Sequence, residues 1–207
     1  DDIYYGRDMA GMGSMAKSMD SEAQENALTK EELAAVENIS NLIPKDKAET
    51  ILRAMAPGIT PGMKVTNLSL SKSYVQPDLY LWEIGFDGAY GVVNAKSGEL
   101  VSFYIYHNDS RKGNLRLSEE KAREQAENFM KKNAPEKFDQ SRFYENPEYS
   151  AYKTEEDVTD YSFNYYRQVN GIDFVGNGFT VIVNKASGMI THYDCNWYDE
   201  ITFPEIN

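Results

Sequence analysis

The sequence predicts an α+β protein of two tandem units, each a helix packed on an antiparallel sheet, with an extra helix on the N-terminal side. Three observations predict it. Many short segments alternate apolar and polar residues, the period of strands with one buried face. Other segments place apolar residues at three- and four-residue steps, the period of helices. Finally, one pattern of helix followed by strands occurs twice along the chain.

A chain of 207 residues allows one large or two small domains. Aromatic residues make up 13%, fifteen of them tyrosines, which favours strand-rich structure. The net charge of −12 argues against a nucleic-acid backbone or an anionic membrane surface as partner, since both need clustered Lys and Arg. It fits a solvated surface, or one that meets cations. The single Cys195 excludes an internal disulfide. No apolar run is long enough to span a membrane as a helix. The chain opens at Asp1 rather than Met, as a processed or cut chain would, so removal of a signal peptide is an expectation.

Residues 1–27 form an arm in which Met9, Met12, Met15 and Met19 share one helical face. Gly6, Gly11 and Gly13 weaken such a helix by roughly 1 kcal/mol each. The stripe reads as a docking face, or as a thioether site for Cu(I). Thr29 and Glu32 then make a capping box for an extra helix that carries Leu33, Val36, Ile39 and Ile43. A second helix runs from Lys45 to about Ala56, with Ala48, Ile51, Leu52 and Met55 on one face, and Pro57-Gly58 stops it. Strands are expected at 64–71, 80–86, 90–94 and 100–106. Asp87-Gly88 is a hairpin signal. The polar stretch His107–Asn114 reads as a linker.

Ser118 is a good N-cap for the next helix, with Glu119 and Glu120 in its first turn and Ala122, Ala126, Phe129 and Met130 on its apolar face. Residues 145–160 read as an acidic loop or irregular edge strand. Three strands follow, marked by Tyr161, Phe163, Tyr165 and Val169, then Phe179, Val181 and Val183, then Thr191, Tyr193, Cys195 and Trp197. Asn170-Gly171 and Asn177-Gly178 both suit turns.

The repeat is explicit. IPKDKAETILRAM (Ile43–Met55) aligns with LSEEKAREQAENF (Leu117–Phe129) at a step of 74 residues. VVNAKSGELVSF (Val92–Phe103) aligns with IVNKASGMITHY (Ile182–Tyr193) at a step of 90. The second copy is therefore 16 residues longer between helix and last hairpin, and the excess falls at 145–160 and at Val169–Gly178. The expected organisation is an arm at 1–27, a first unit at 28–110 and a second at 115–207. A shared scaffold with one elaborated region suggests that specific contact lies in the elaboration.

Arg167, Asn170-Gly171-Ile172, Phe174, Asn184, Ser187-Gly188, Trp197 and Phe203-Pro204, set in a helix-then-strands frame, resemble a PepSY-type repeat, in particular the YcdB/YcdC-type repeats of secreted bacterial proteins. The resemblance covers about residues 28–207. It implies an extracellular or cell-surface location and a non-catalytic role, as in PepSY-like parts of protease propeptides that inhibit or assist folding. The implied partner is a protease or another cell-envelope protein. The chain departs from a propeptide in having no His-Glu-x-x-His and only two histidines, His107 and His192.

No catalytic or cofactor constellation stands out, and none is expected. His192 reads as a surface histidine and Cys195 as a small core residue without a paired His. Asp194, Asp199 and Glu200, with Glu155, Glu156, Asp157 and Asp160, read as solvated surface or as oxygen ligands for Ca²⁺. No phosphate-binding Gly loop is present. The aromatic hairpin supplies the candidate partner-binding residues Tyr166, Asn170, Gly171, Ile172, Asp173 and Phe174. Two readings of it stand open: contact with a partner, including strand addition at a sheet edge, or packing within the protein itself. A structural spacer within a larger surface protein, and metal or small-ligand binding through the Met arm or the acidic residues, are the competing functions.

Overall fold

The computed structural model describes residues 39–74, 76, 78–106, 112–145, 158–199 and 201. The Met arm, the Thr29–Glu32 capping box, His107, most of the 145–160 loop, Glu200 and Phe203-Pro204 lie outside the described residues. Helix α1 (Lys45–Met55) is followed by β1 (Val65–Lys72), β2 (Tyr80–Phe86), β3 (Ala89–Asn94) and β4 (Leu100–Ile105). Helices α2 (Glu119–Asn133) and α3 (Pro135–Asp139) precede β5 (Ser141–Tyr144), β6 (Asp160–Val169), β7 (Ile172–Asn184) and β8 (Ile190–Asn196).

Among the described residues, the helices and strands expected from Lys45 onward form where their periodicity put them, and the extra helix before them lies mostly outside those residues. Ala48 and Leu52, one turn apart, are the buried face of α1. Leu52 sits directly over Gly91 of β3, where a Cβ would lie 2.5 Å from its methyl carbons, so only glycine admits the helix this close. The Ser118 hydroxyl accepts from the Lys121 N–H and caps α2, which buries Ala122, Ala126 and Met130. Small residues at two successive turns let α2 lie close to the sheet. Pro135 then opens α3, which the polar sequence there did not announce, and β5 was equally silent.

The two expected sheets are one. All eight strands join in the order β1-β2-β3-β4-β8-β7-β6-β5, every pair antiparallel. The last strands of the two halves, β4 and β8, pair at the centre through Ser102–Asp194, Phe103–Tyr193 and Tyr104–His192. Two strand edges that would otherwise face solvent are removed by this pairing. One apolar core runs under α1 and α2, from Leu52 and Phe86 through Phe103 and Tyr193 to Phe163.

The repeat seen in the sequence recurs in the hydrogen bonds. The Ile43 N–H donates to Ala95 O at 2.8 Å, and the Leu117 N–H to Lys185 O at 3.0 Å. The Gly98 N–H donates to Asn94 O and the Gly188 N–H to Asn184 O, both at 2.8 Å. In both turns the Asn side chain accepts a backbone N–H from the Ser three residues on, so Asn94 and Asn184 build the same bend. The β3–β4 ladder slips between Val92 and Val93, and the β7–β8 ladder between Ile182 and Val183, 90 residues further on.

The helices cover one face of the sheet. The other face carries Glu83, Val92, Ser102, Asp194, Thr180 and Asn164 in one row across six strands, by register. His192 points to this second face, opposite Tyr193, as its alternation required.

Candidate functional site

The long hairpin is a twisted ribbon at the β6–β7 edge of the central strands. Its tip is a two-residue turn, Asn170-Gly171, with φ of 52° and 79°, flanked by the Val169–Ile172 pair. Two successive positive φ values match the right-handed twist of the strands, and Asn-Gly adopts them at least cost. Asn177-Gly178, expected as a second turn, is not one. β7 passes through it as a bulge: Arg167 pairs with Phe174 and Tyr166 with Gly178, leaving Val175, Gly176 and Asn177 out of register.

The ribbon brings Asn170, Gly171, Ile172, Asp173 and Phe174 together at its tip. Tyr166 stays at the base, on β6, with its ring 4.9 Å from that of Tyr144 on β5. Ile172 stands 61% exposed, and Phe174 is half-buried. Asp173 is engaged: it accepts from Gln168 Nε2 at 3.2 Å and pairs with Arg142 Nη2 at 3.1 Å. Val175, 69% exposed, is the residue sequence reasoning missed. Its signal was Gly176 and Gly178 around Asn177, a spacing that breaks strand alternation and turns the preceding side chain outward.

The base of the ribbon is tied to the end of β8. The Arg167 guanidinium lies 4.9 Å over the Trp197 ring and donates to Tyr198 O at 3.0 Å. The Asn196 amide donates to Gly176 O at 2.6 Å. Asn177 is fully buried, and its amide finds no hydrogen-bond partner. An unsatisfied buried amide costs about 1–3 kcal/mol, so the bulge is a point of low local stability beside a firmly held base.

Below the base, α2 clamps β6 through a charged triangle. Arg123 Nε donates to Glu127 Oε1 at 3.0 Å and to the Tyr165 hydroxyl at 3.2 Å. The Tyr165 hydroxyl donates to the same Glu127 oxygen at 2.6 Å. Burial and the Glu127 hydrogen bond push the Tyr165 hydroxyl well above its ordinary range. Burial alone would raise Glu127, but the hydrogen bonds from Tyr165 and Arg123 outweigh it and hold the carboxyl below its usual value. The guanidinium also lies 3.8 Å over the Phe143 ring of β5. These contacts fix the outer two strands, β5 and β6, relative to the helix.

The residues weighed for chemistry stay apart. Cys195 is buried, and burial pushes its thiol up to about 12, so thiolate is scarce at neutral pH. His192 is half-buried with Nδ1 lacking a hydrogen-bond partner, and burial lowers it while Asp194 partly restores it. Of the acidic residues considered for Ca²⁺, only Asp160, Asp194 and Asp199 are described. Among the described residues no three His, Cys, Asp or Glu side chains gather around a common point. Among them, too, no helix is long and apolar enough to cross a membrane.

Comparison with known proteins follows the same lines. The model of a family described as the YcdB, YcdC repeated domain matches residues 45–197. Among solved structures, the Bacillus megaterium YpeB C-terminal domain superposes with a TM-score of 0.54 at 13% identity, over 81% of this chain and 72% of that one. At that identity the likeness is one of fold. No curated protein matches the chain.

Proposed function

The chain belongs to the YcdB, YcdC repeated domain family, and from that premise we propose that it is a non-catalytic protein-interaction module of the bacterial cell envelope. In this reading two PepSY-like units, joined edge to edge through β4 and β8, form a rigid platform. The recurrence of the same turn and hydrogen bonds at steps of 74 and 90 residues supports the two-unit description. The platform presents the β6–β7 ribbon to an envelope protein, a protease among the candidates. The observation that carries this is the pair of apolar side chains, Ile172 and Val175, held in solvent on a ribbon whose base is anchored at Trp197 and Tyr198. Exposed apolar groups on a braced loop are the usual currency of recognition. The β8 strand stands between the ribbon and β4, which favours outward contact over packing on the first half.

The test is capture from the secreted and envelope fraction of the source cells, with the unaltered chain and with an Ile172→Asp/Val175→Asp variant, under matched loading. The expected result is a discrete protein retained by the first and lost from the second, with the melting temperature of the variant unchanged. Capture of the same proteins by both would remove the ribbon from the account and leave the chain a structural spacer.

A further inference from the structure

At the end of the sheet where β4 begins and β8 finishes, the two central strands part. Their pairing covers only Ser102–Tyr104 against Asp194–His192. A cavity of about 380 Å³ opens beyond it, within the range of small-ligand sites. Leu81, Val101 and Trp197 give it apolar wall, Glu99 and Lys137 stand on its rim, and Asp194 faces it from the helix-free side of the sheet.

The charges there are unevenly matched. Lys137 Nζ lies 2.6 Å from Glu99 Oε1, with the two side chains 17% and 28% exposed, so this pair neutralises itself. Asp194 is half-buried and has no hydrogen bond or ion pair with any described residue. Burial pushes its carboxyl above the ordinary range, with His192, two residues back on the same face, pulling it partly down. Asp199, exposed at the rim, adds a further negative charge. A carboxylate withdrawn from water without a partner is costly, and a cation entering the cavity would relieve that cost. An anion would meet Asp194 with Lys137 already engaged. A divalent ion wants several oxygen ligands, and no such grouping exists among the described residues.

We propose that this cavity binds a primary ammonium group on a short aliphatic stem, with Asp194 as counter-ion and Leu81, Val101 and Trp197 along the stem. The group belongs either to a free alkylamine or to the lysine side chain of a peptide. The site shares Trp197 with the base of the ribbon, and its readout, amine binding, is distinct from capture of a partner by the ribbon tip.

Trp197 reports occupancy, because the other tryptophan, Trp82, lies in the β2 ladder with its indole N–H bonded to Ile43 O. The unaltered chain is titrated with n-pentylamine, with Nα-acetyl-lysine N-methylamide, and with n-pentanol as the uncharged analogue. Saturable fluorescence change is expected with both amines and not with the alcohol. Asp194→Asn is expected to weaken amine binding by about tenfold or more, the worth of one hydrogen bond to a charged group. Tighter binding of the lysine derivative would assign the site to a peptide, and equal binding to a free amine. Amide NMR on the unaltered chain gives a second reading that needs no variant: pentylamine should shift Asp194, Asn196 and the Trp197 indole and leave β1 in place. The proposal is overturned if neither amine saturates, if pentanol binds as well as pentylamine, if Asp194→Asn binds amine as tightly as the unaltered chain, or if the NMR shifts fall elsewhere.

Discussion

Phe103 of β4 and Tyr193 of β8 lie side by side at the centre of the sheet, ring centroids 6.1 Å apart and planes 23° from parallel. They are 90 residues apart, the step of the repeat, so each residue meets its own counterpart. Such self-pairing is what a two-fold interface between two copies of one surface produces. Phe129 of α2 stands edge-on to both rings, at 5.8 and 5.2 Å. The junction between the halves is therefore core, not linker.

Truncating the junction should weaken the whole molecule at once. Phe103→Ala is expected to cost about 3–5 kcal/mol, the range for removing a buried aromatic ring. Urea unfolding followed by far-UV circular dichroism and by Trp fluorescence should give coincident curves, both shifted to lower urea. Separate transitions for the two probes would mean that the halves unfold independently and that the pairing contributes little.

The triangle under the ribbon carries a pH signature. Glu127 is held below its ordinary range in the folded chain, so it contributes stability that is present above its unfolded value and lost as pH falls through the folded one. Tyr165→Phe is expected to cost about 1–2 kcal/mol at neutral pH by leaving charged partners with one hydrogen bond fewer. In Glu127→Gln the drop in melting temperature between pH 7 and pH 3 should be smaller than in the unaltered chain. An equal drop in both would show that this carboxylate is not favoured by the fold.

Asp194 has the opposite sign. Its folded carboxyl is raised, so ionisation opposes folding: the penalty is absent below the unfolded value and complete above the folded one. Asp194→Asn should therefore melt higher than the unaltered chain at pH 7 and at the same temperature near pH 3. A lower melting temperature at pH 7 would show that the carboxylate has a stabilising partner.

Much of the scaffold was legible locally. The buried faces of α1 and α2 came from three- and four-residue spacing, and the Asn170-Gly171 turn from a dipeptide that takes two positive φ values at low cost. The Asn94 and Asn184 bends came from comparison of the two copies. What stayed hidden was of longer range. Nothing local distinguishes a strand paired on one side from one paired on both, so the joining of β4 to β8 left no mark in either segment. Residues 134–144 make an α-helix of five residues and a strand of four, too short to show a period. The Gly-Asn-Gly run read as a turn because a wide bulge and a turn ask for the same residue types. The cavity beside Asp194 is assembled from Leu81, Glu99, Lys137 and Trp197, residues that only the fold brings together.

Contact between the ribbon tip and a partner can be read in place by crosslinking. A photo-crosslinking amino acid at position 172, at the ribbon tip, is compared with the same group at position 66, an exposed site on β1, in the living source cells. A discrete protein adduct is expected from position 172 and none from position 66. No adduct at 172, or the same adducts from both positions, would contradict that contact.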